Sequence, residues 1–170
     1  MKRFFLPGVF FFTFCFSAYG QVDSAAVEKE VDSLIQVARV LSRQNKHEEA
    51  LQVISKAKQI TVDNFSTNSV IYANCQFNFG FVYQNMRRRA DAEPYYVEAM
   101  KLREKLLGKK HPDYAWSLNN LGLLYKEQGR YDLSEPLYLE AIELQKTNPG
   151  AESAIYTICL YNLGNLYLAK

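Results

Sequence analysis

Sliding the chain against itself by 42 residues aligns Tyr72, Tyr114 and Tyr156; Asn78, Asn120 and Asn162; Gly80, Gly122 and Gly164; and Tyr83, Tyr125 and Tyr167. The same offset superposes Glu93-Pro94 on Glu135-Pro136 and lines up Ala57, Ala99 and Ala141. One step further toward the N-terminus, Ala38 falls under Gly80 and Leu41 under Tyr83. A period of this length constrains the fold more than any composition does. Each unit is one supersecondary element that buries its apolar face only against its neighbours, so the chain must stack. About three and a half units fill residues 21–170.

Within the unit from Asp113 to Thr147, Leu118, Leu121, Gly122 and Tyr125 recur at helical spacing, Gly129-Arg130 interrupts, and Leu137, Tyr138, Ala141, Ile142 and Leu144 resume it. The pattern predicts two amphipathic helices joined by a tight turn. Gly122 and Ala141 are small where those helices cross, which seats Tyr125 and Tyr138 beside the contact. Asp132 with Glu135 is expected to form a capping box opening the second helix, with Pro136 in its first turn. Gly108 is expected to stop the preceding helix and Pro112-Asp113 to start the next. By register the repeats run at about 28–61, 70–107 and 112–147, with a half repeat at 153–170.

Residues 1–20 are a different material. Lys2 and Arg3 lead into an uncharged, Phe-rich run from Phe4 to Phe16, and Ser17-Ala18-Tyr19-Gly20 supplies the small residues of a cleavage site after Gly20. This is the form of a signal peptide. The run is shorter than the roughly 20 residues a bilayer requires and contains Pro7-Gly8, so a retained anchor fits less well. The approach to Cys15 lacks the small residues of a lipidation site. The expectation is an exported chain, periplasmic or secreted. Lys2 and Arg3 also account for the whole formal charge of +2. Without them acids and bases balance, which gives no electrostatic reason to expect nucleic acid as a partner.

The motif Leu118-x2-Leu121-Gly122-x2-Tyr125, with Ser134-x3-Tyr138 and Ala141, resembles the tetratricopeptide repeat, and Leu107-Gly108-Lys109-Lys110-His111-Pro112-Asp113-Tyr114-Ala115 resembles the 42-residue repeats of kinesin light chains and their bacterial relatives. The resemblance covers about residues 28–170. It is strongest in the third unit, looser in the second, where Gln76 and Phe79 replace Leu, and loosest in the first, which lacks the Gly, Tyr and Pro. It implies an all-α TPR solenoid of helix-turn-helix repeats, following the cleaved signal peptide.

Little in the sequence points to chemistry. Gly108-Lys109-Lys110 lacks the upstream glycine of a phosphate loop, and no H-E-x-x-H, Cys-x2-Cys or acidic metal cluster occurs. His47 is expected in the first inter-helix turn and His111 in an inter-repeat loop. Cys75 and Cys159 occupy the register of Ser33 and Ser117, which points to small packing side chains. Two repeats apart, they are expected to stay unpaired despite export. Arg87-Arg88-Arg89 is expected in a solvated turn. Asn64-Phe65-Ser66 fits a glycosylation sequon. The expectation is a noncatalytic protein with no cofactor and no metal.

The resemblance implies a concave groove lined by the first helix of each unit. Carried to this sequence, the groove positions are Gln36, Arg39 and Arg43; Asn74, Phe77, Asn78, Phe81 and Asn85; Trp116, Asn119, Asn120 and Lys126; and Tyr161, Asn162 and Asn165. Asn is a poor helix-interior residue, yet it stands at one register in three successive first helices. Two readings stay open. The amides hold the N–H and C=O of an extended peptide, whose rise over about three residues matches the ~10 Å between neighbouring helices; or they bond backbone carbonyls of adjacent helices and fix the stacking. The first reading makes the chain a module that binds a protein or peptide. Phe77, Phe81, Trp116 and Tyr161 would form pockets, and Arg39, Arg43 and Lys126 would favour acidic flanks. The alternative is the sensor or docking region of a larger signalling enzyme, with a histidine-kinase-like or caspase-like domain beyond residue 170.

The last helix is apolar nearly all round, with no charge from Ala154 to Ala169. Asn162, Gly164 and Asn165 argue against membrane insertion of the mature chain. The pattern is that of a helix covered on several sides, by the second helix of a fourth repeat or by self-association.

Overall fold

The computed structural model describes residues 23–146 and 154–170. The expected signal peptide, its cleavage site and Cys15 lie outside the described residues, as do Thr147 and the start of the last half repeat. Seven helices occur among the described residues: α1 (Ser24–Arg43), α2 (His47–Asn64), α3 (Val70–Asn85), α4 (Arg89–Leu107), α5 (Pro112–Glu127), α6 (Tyr131–Lys146) and α7 (Ala154–Ala169). They pair as α1/α2, α3/α4 and α5/α6, each pair stacking on the next, with α7 against α5 and α6. This is the all-α solenoid that the 42-residue period predicts.

The period is visible in the backbone itself. Asn45, Arg87 and Gly129, spaced by 42, are all left-handed, with φ of 61°, 63° and 75°. Each ends its helix in the same way: the next N–H reaches back five residues, from Lys46 to Leu41, Arg88 to Tyr83 and Arg130 to Tyr125, at 3.0, 3.0 and 2.9 Å. This Schellman closure turns the chain sharply enough for the second helix to fold back on the first. Only the third repeat spends a glycine on it.

Close packing follows from the glycines on the first helices. A Cβ on Gly80 would lie 2.7 Å from the Tyr96 ring, and one on Gly122 would lie 3.0 Å from the Tyr138 ring. Both tyrosines are fully buried, each removing on the order of 200 Å² from water. So Gly122 makes room for the ring of Tyr138 itself. Between repeats, the repeated Glu of Glu-Pro forms a latch. Glu93 accepts from Tyr125 Oη at 3.1 Å and Arg130 Nη1 at 2.6 Å, and Glu135 accepts from Tyr167 Oη at 2.8 Å and from Lys170.

The capping-box expectation is corrected. Helix α6 begins two residues earlier than that box requires, at Tyr131, because the Arg130 carbonyl accepts from both Leu133 and Ser134 N–H at 3.2 Å. Asp132 therefore sits inside the first turn, and Glu135 reaches forward to α7 instead of back to a cap. Pro136 consequently lies in the second turn, on an exposed face, as Pro94 does in α4. His47 is the first residue of α2. His111 caps α5, its Nδ1 accepting from Asp113 N–H at 3.1 Å, with Pro112 at the helix start as expected.

Cys75 and Cys159 are free and fully buried. Burial pushes the Cys159 thiol up to about 12 and raises that of Cys75. Each lies at an inter-repeat junction, Cys75 Sγ 3.6 Å from Thr61 Oγ1 and Cys159 Sγ 3.5 Å from Asn119 Oδ1. Ser117 occupies the same register and is equally buried, whereas Ser33, on the first helix of the array, is exposed.

Candidate functional site

The first helices α1, α3 and α5 present two adjoining hollows. One, of about 310 Å³, is lined by Asp32, Gln36 and Arg39 of α1, Asn74, Phe77, Asn78 and Phe81 of α3, Arg103 of α4, and Asp113, Trp116 and Asn120 of α5. The other, of about 520 Å³, is lined by Ser42, Arg43, Asn85, Asn120, Leu123 and Glu127 among others. Phe81 and Asn120 line both. The hollows thus form one continuous strip across three repeats.

Its walls are cationic over aromatic. Arg39 and Arg43 both lie over the Phe81 ring, at 5.7 and 6.0 Å from its centroid, and Arg103 lies over Phe77 at 4.6 Å. Such stacking holds a guanidinium while leaving its edge available to an anion. Burial, and then the neighbouring Arg43 charge, lowers Arg39 below the ordinary arginine range. Arg103 is lowered mainly by burial; it is only 6% exposed. Its acceptors are all neutral: the Asp113 carbonyl at 3.2 Å, Ser117 Oγ at 2.9 Å and Asn74 Oδ1 at 2.8 Å. Its Nε is buried without a partner. A buried cation without a bonded carboxylate is costly unless an anion joins it.

The Asn ladder divides into two kinds of rung. Asn78 Nδ2 donates to the Asn74 carbonyl at 2.7 Å, and Asn120 Nδ2 donates to the Trp116 carbonyl at 2.8 Å. Both amides bend back along their own helix, so the second open reading, bonds to the carbonyls of adjacent helices, does not describe them. Asn78 Oδ1 is buried with no partner, and half-buried Asn120 lines both hollows. Asn162 differs: its Nδ2 donates to Asn119 Oδ1 at 2.9 Å. That rung joins α5 to α7.

The strip therefore gathers Gln36, Arg39, Arg43, Asn74, Phe77, Asn78, Phe81, Asn85, Trp116 and Asn120 of the expected groove. It does not gather the others. Asn119 is 2% exposed and spends its oxygen on Cys159 and Asn162. Tyr161, at the same register, is 70% exposed on α7. Lys126, Asn162 and Asn165 line neither hollow. Sequence reasoning missed Arg103, because it searched the first helices and Arg103 comes from a second. A signal existed, since its register mates Thr61 and Gln145 are also polar residues buried on a core stripe.

Stacked two-helix repeats with a strip of hollows along their first helices define an α-solenoid scaffold. The sequence profile of the tetratricopeptide repeat matches residues 77–147 and 118–170, and the chain belongs to that family. The fold is similar to the crystal structure of BtubC (BKLC) from P. vanneervenii, at TM-score 0.72 and 25% identity over 82% of this chain and 56% of that one. This chain thus spans little more than half the length of BtubC. A kinesin-light-chain-like protein of Podosopora anserina with nearly identical TPR-like repeats shares the fold at TM-score 0.75 and 17% identity, over 84% of this chain and 67% of that one. Among curated protein sequences none matches. Repeats of this family generally mediate protein–protein interaction, and no catalytic family is indicated. No helix among the described residues is long and apolar enough to cross a membrane.

Proposed function

We propose that the strip across α1, α3 and α5 binds an extended peptide or protein segment carrying an acidic side chain. The observation that carries this reading is Arg103, a buried guanidinium with only neutral acceptors, lining the hollow that Arg39 also enters. An acidic side chain seated there meets Arg39 and Arg103, with Asp32 and Asp113 on the same walls confining it to the guanidinium edges, in a partly water-excluded site where charge-assisted hydrogen bonds are strongest. Asn78 and Asn120 keep their amide oxygens for the peptide N–H groups. Phe77, Phe81 and Trp116 accept apolar side chains. The signal-peptide form of residues 1–20 supports binding outside the cytoplasm, in the periplasm or beyond.

The test is selection from a displayed random-peptide library against the full chain, repeated with Arg39→Met and Phe81→Ala. The expected result is an enriched acidic consensus that both variants lose. Enrichment without acidic residues, or a consensus that both folded variants retain, would refute the assignment. A second reading is self-association, which the exposed apolar residues of α7 favour.

A further inference from the structure

The exposed face of α7 carries Leu160, Tyr161, Gly164, Tyr167 and Leu168, with only the Tyr167 hydroxyl tied back to α6, donating to Glu135. Leu168 is 88% exposed. Gly164 differs from its register mates, since a Cβ there would meet nothing within 4 Å, whereas Gly80 and Gly122 lie against tyrosine rings. Half of this face repeats a familiar pattern, because Leu160, Gly164 and Tyr167 stand where Leu118, Gly122 and Tyr125 are packed by α6. The other half does not. Tyr161 and Leu168 replace the polar Asn119 and Lys126 of the preceding repeat, so their apolar character is peculiar to α7.

The face is also symmetric about its glycine. Leu stands four residues before and four after Gly164, and Tyr three before and three after. Positions three and four away on either side lie on the same helix surface as the glycine. A two-fold axis beside Gly164 therefore brings Leu160 and Tyr161 of one copy level with Tyr167 and Leu168 of another lying antiparallel to it. The small glycine lets the two helices approach where they cross. A helix of unrelated sequence gains nothing from this mirror arrangement, but a second copy of the same helix does.

We propose that α7 is an isologous dimer contact in which two chains cross antiparallel at Gly164. The four large side chains leave on the order of 500 Å² per copy uncovered, so full pairing buries up to about 1,000 Å², which reaches the lower bound for a specific interface. No charge opposes it, since residues from Ala154 to Ala169 are uncharged and Lys170 is held by Glu135 of its own chain. The contact does not depend on the groove reading.

Sedimentation velocity of the full chain tests it. The expected result is a concentration-dependent monomer–dimer step, abolished by Gly164→Arg with helical circular dichroism unchanged. Cysteine cross-linking fixes the geometry. Gly164→Cys lies at the axis, where Cα atoms fall within the ~7 Å a disulfide allows, and is expected to link into dimers under mild oxidation. Leu160→Cys mixed with Leu168→Cys should link more than either variant alone. A chain that stays monomeric overturns the proposal, as does a dimer that Gly164→Arg leaves intact. Leu160→Cys and Leu168→Cys each linking to itself more than to the other would mark a parallel contact and overturn it too.

Discussion

Helices α5 and α7 carry the same residues at the same register, Tyr, Asn, Gly and Tyr at 114, 120, 122 and 125 and again at 156, 162, 164 and 167, yet they serve different ends. On α5 the glycine is covered by Tyr138 and the asparagine opens onto both hollows. On α7 the glycine meets open space and the asparagine is spent on Asn119. A repeat position fixes where a side chain stands along the helix. What it does is set by which neighbour stands opposite.

The glycines provide the largest contrast. Gly80→Ala places a methyl group 2.7 Å from a fully buried ring, and Gly122→Ala does the same at 3.0 Å. Both are expected to destabilise the fold, by about 1–3 kcal/mol, with Gly80→Ala the worse. Gly164→Ala has no such neighbour and gains helix propensity, so it should stabilise by up to about 1 kcal/mol. Urea denaturation of the three variants ranks them. Equal destabilisation by Gly164→Ala would break the comparison.

The asparagines sharpen it at somewhat smaller scale. Asn162→Ala leaves the buried Asn119 oxygen short of a donor and should cost about 1–2 kcal/mol of stability, with peptide affinity unchanged. Asn120→Ala should do the reverse, weakening a bound peptide by about 1–3 kcal/mol with little change in folding. Thermal melts and titration calorimetry on the same two variants decide the matter. If Asn120→Ala lowers stability and spares affinity, the α5 rung is structural.

The smallest effect lies in the turns. Arg87 holds a left-handed conformation that costs a non-glycine residue about 1–2 kcal/mol, partly offset by the lower chain entropy of arginine relative to glycine. Arg87→Gly is therefore expected to stabilise by about 0.5 kcal/mol, and Gly129→Ala to destabilise by about 1 kcal/mol. The midpoint of denaturant unfolding reports both. A stabilising Gly129→Ala would mean that the three turns are not equivalent.

The helices were legible because a 42-residue period and a small-residue register survive even where the first repeat has lost its Gly, Tyr and Pro. The start of α6 was not, because the Arg130 carbonyl closes the first turn before Asp132 can cap it. Much of the strip was legible from the first-helix register. Asn119 was misplaced because on α5 its register meets α7, where its oxygen accepts from Cys159 and Asn162, although Ile35 and Phe77 at the same register of the earlier repeats line the hollow. Arg103 escaped because a buried arginine is recognised by its surroundings, which no spacing along one helix reveals.

Trp116 is the only tryptophan of the chain and lines the hollow that Arg39 and Arg103 enter. Its emission therefore reports on the strip directly. Titrating the full chain with a labelled acidic peptide from the library selection, while following peptide anisotropy and Trp116 fluorescence together, should give saturable changes with one shared midpoint, both lost in Phe81→Ala. Anisotropy that saturates while Trp116 emission stays flat would place the peptide elsewhere and contradict the account.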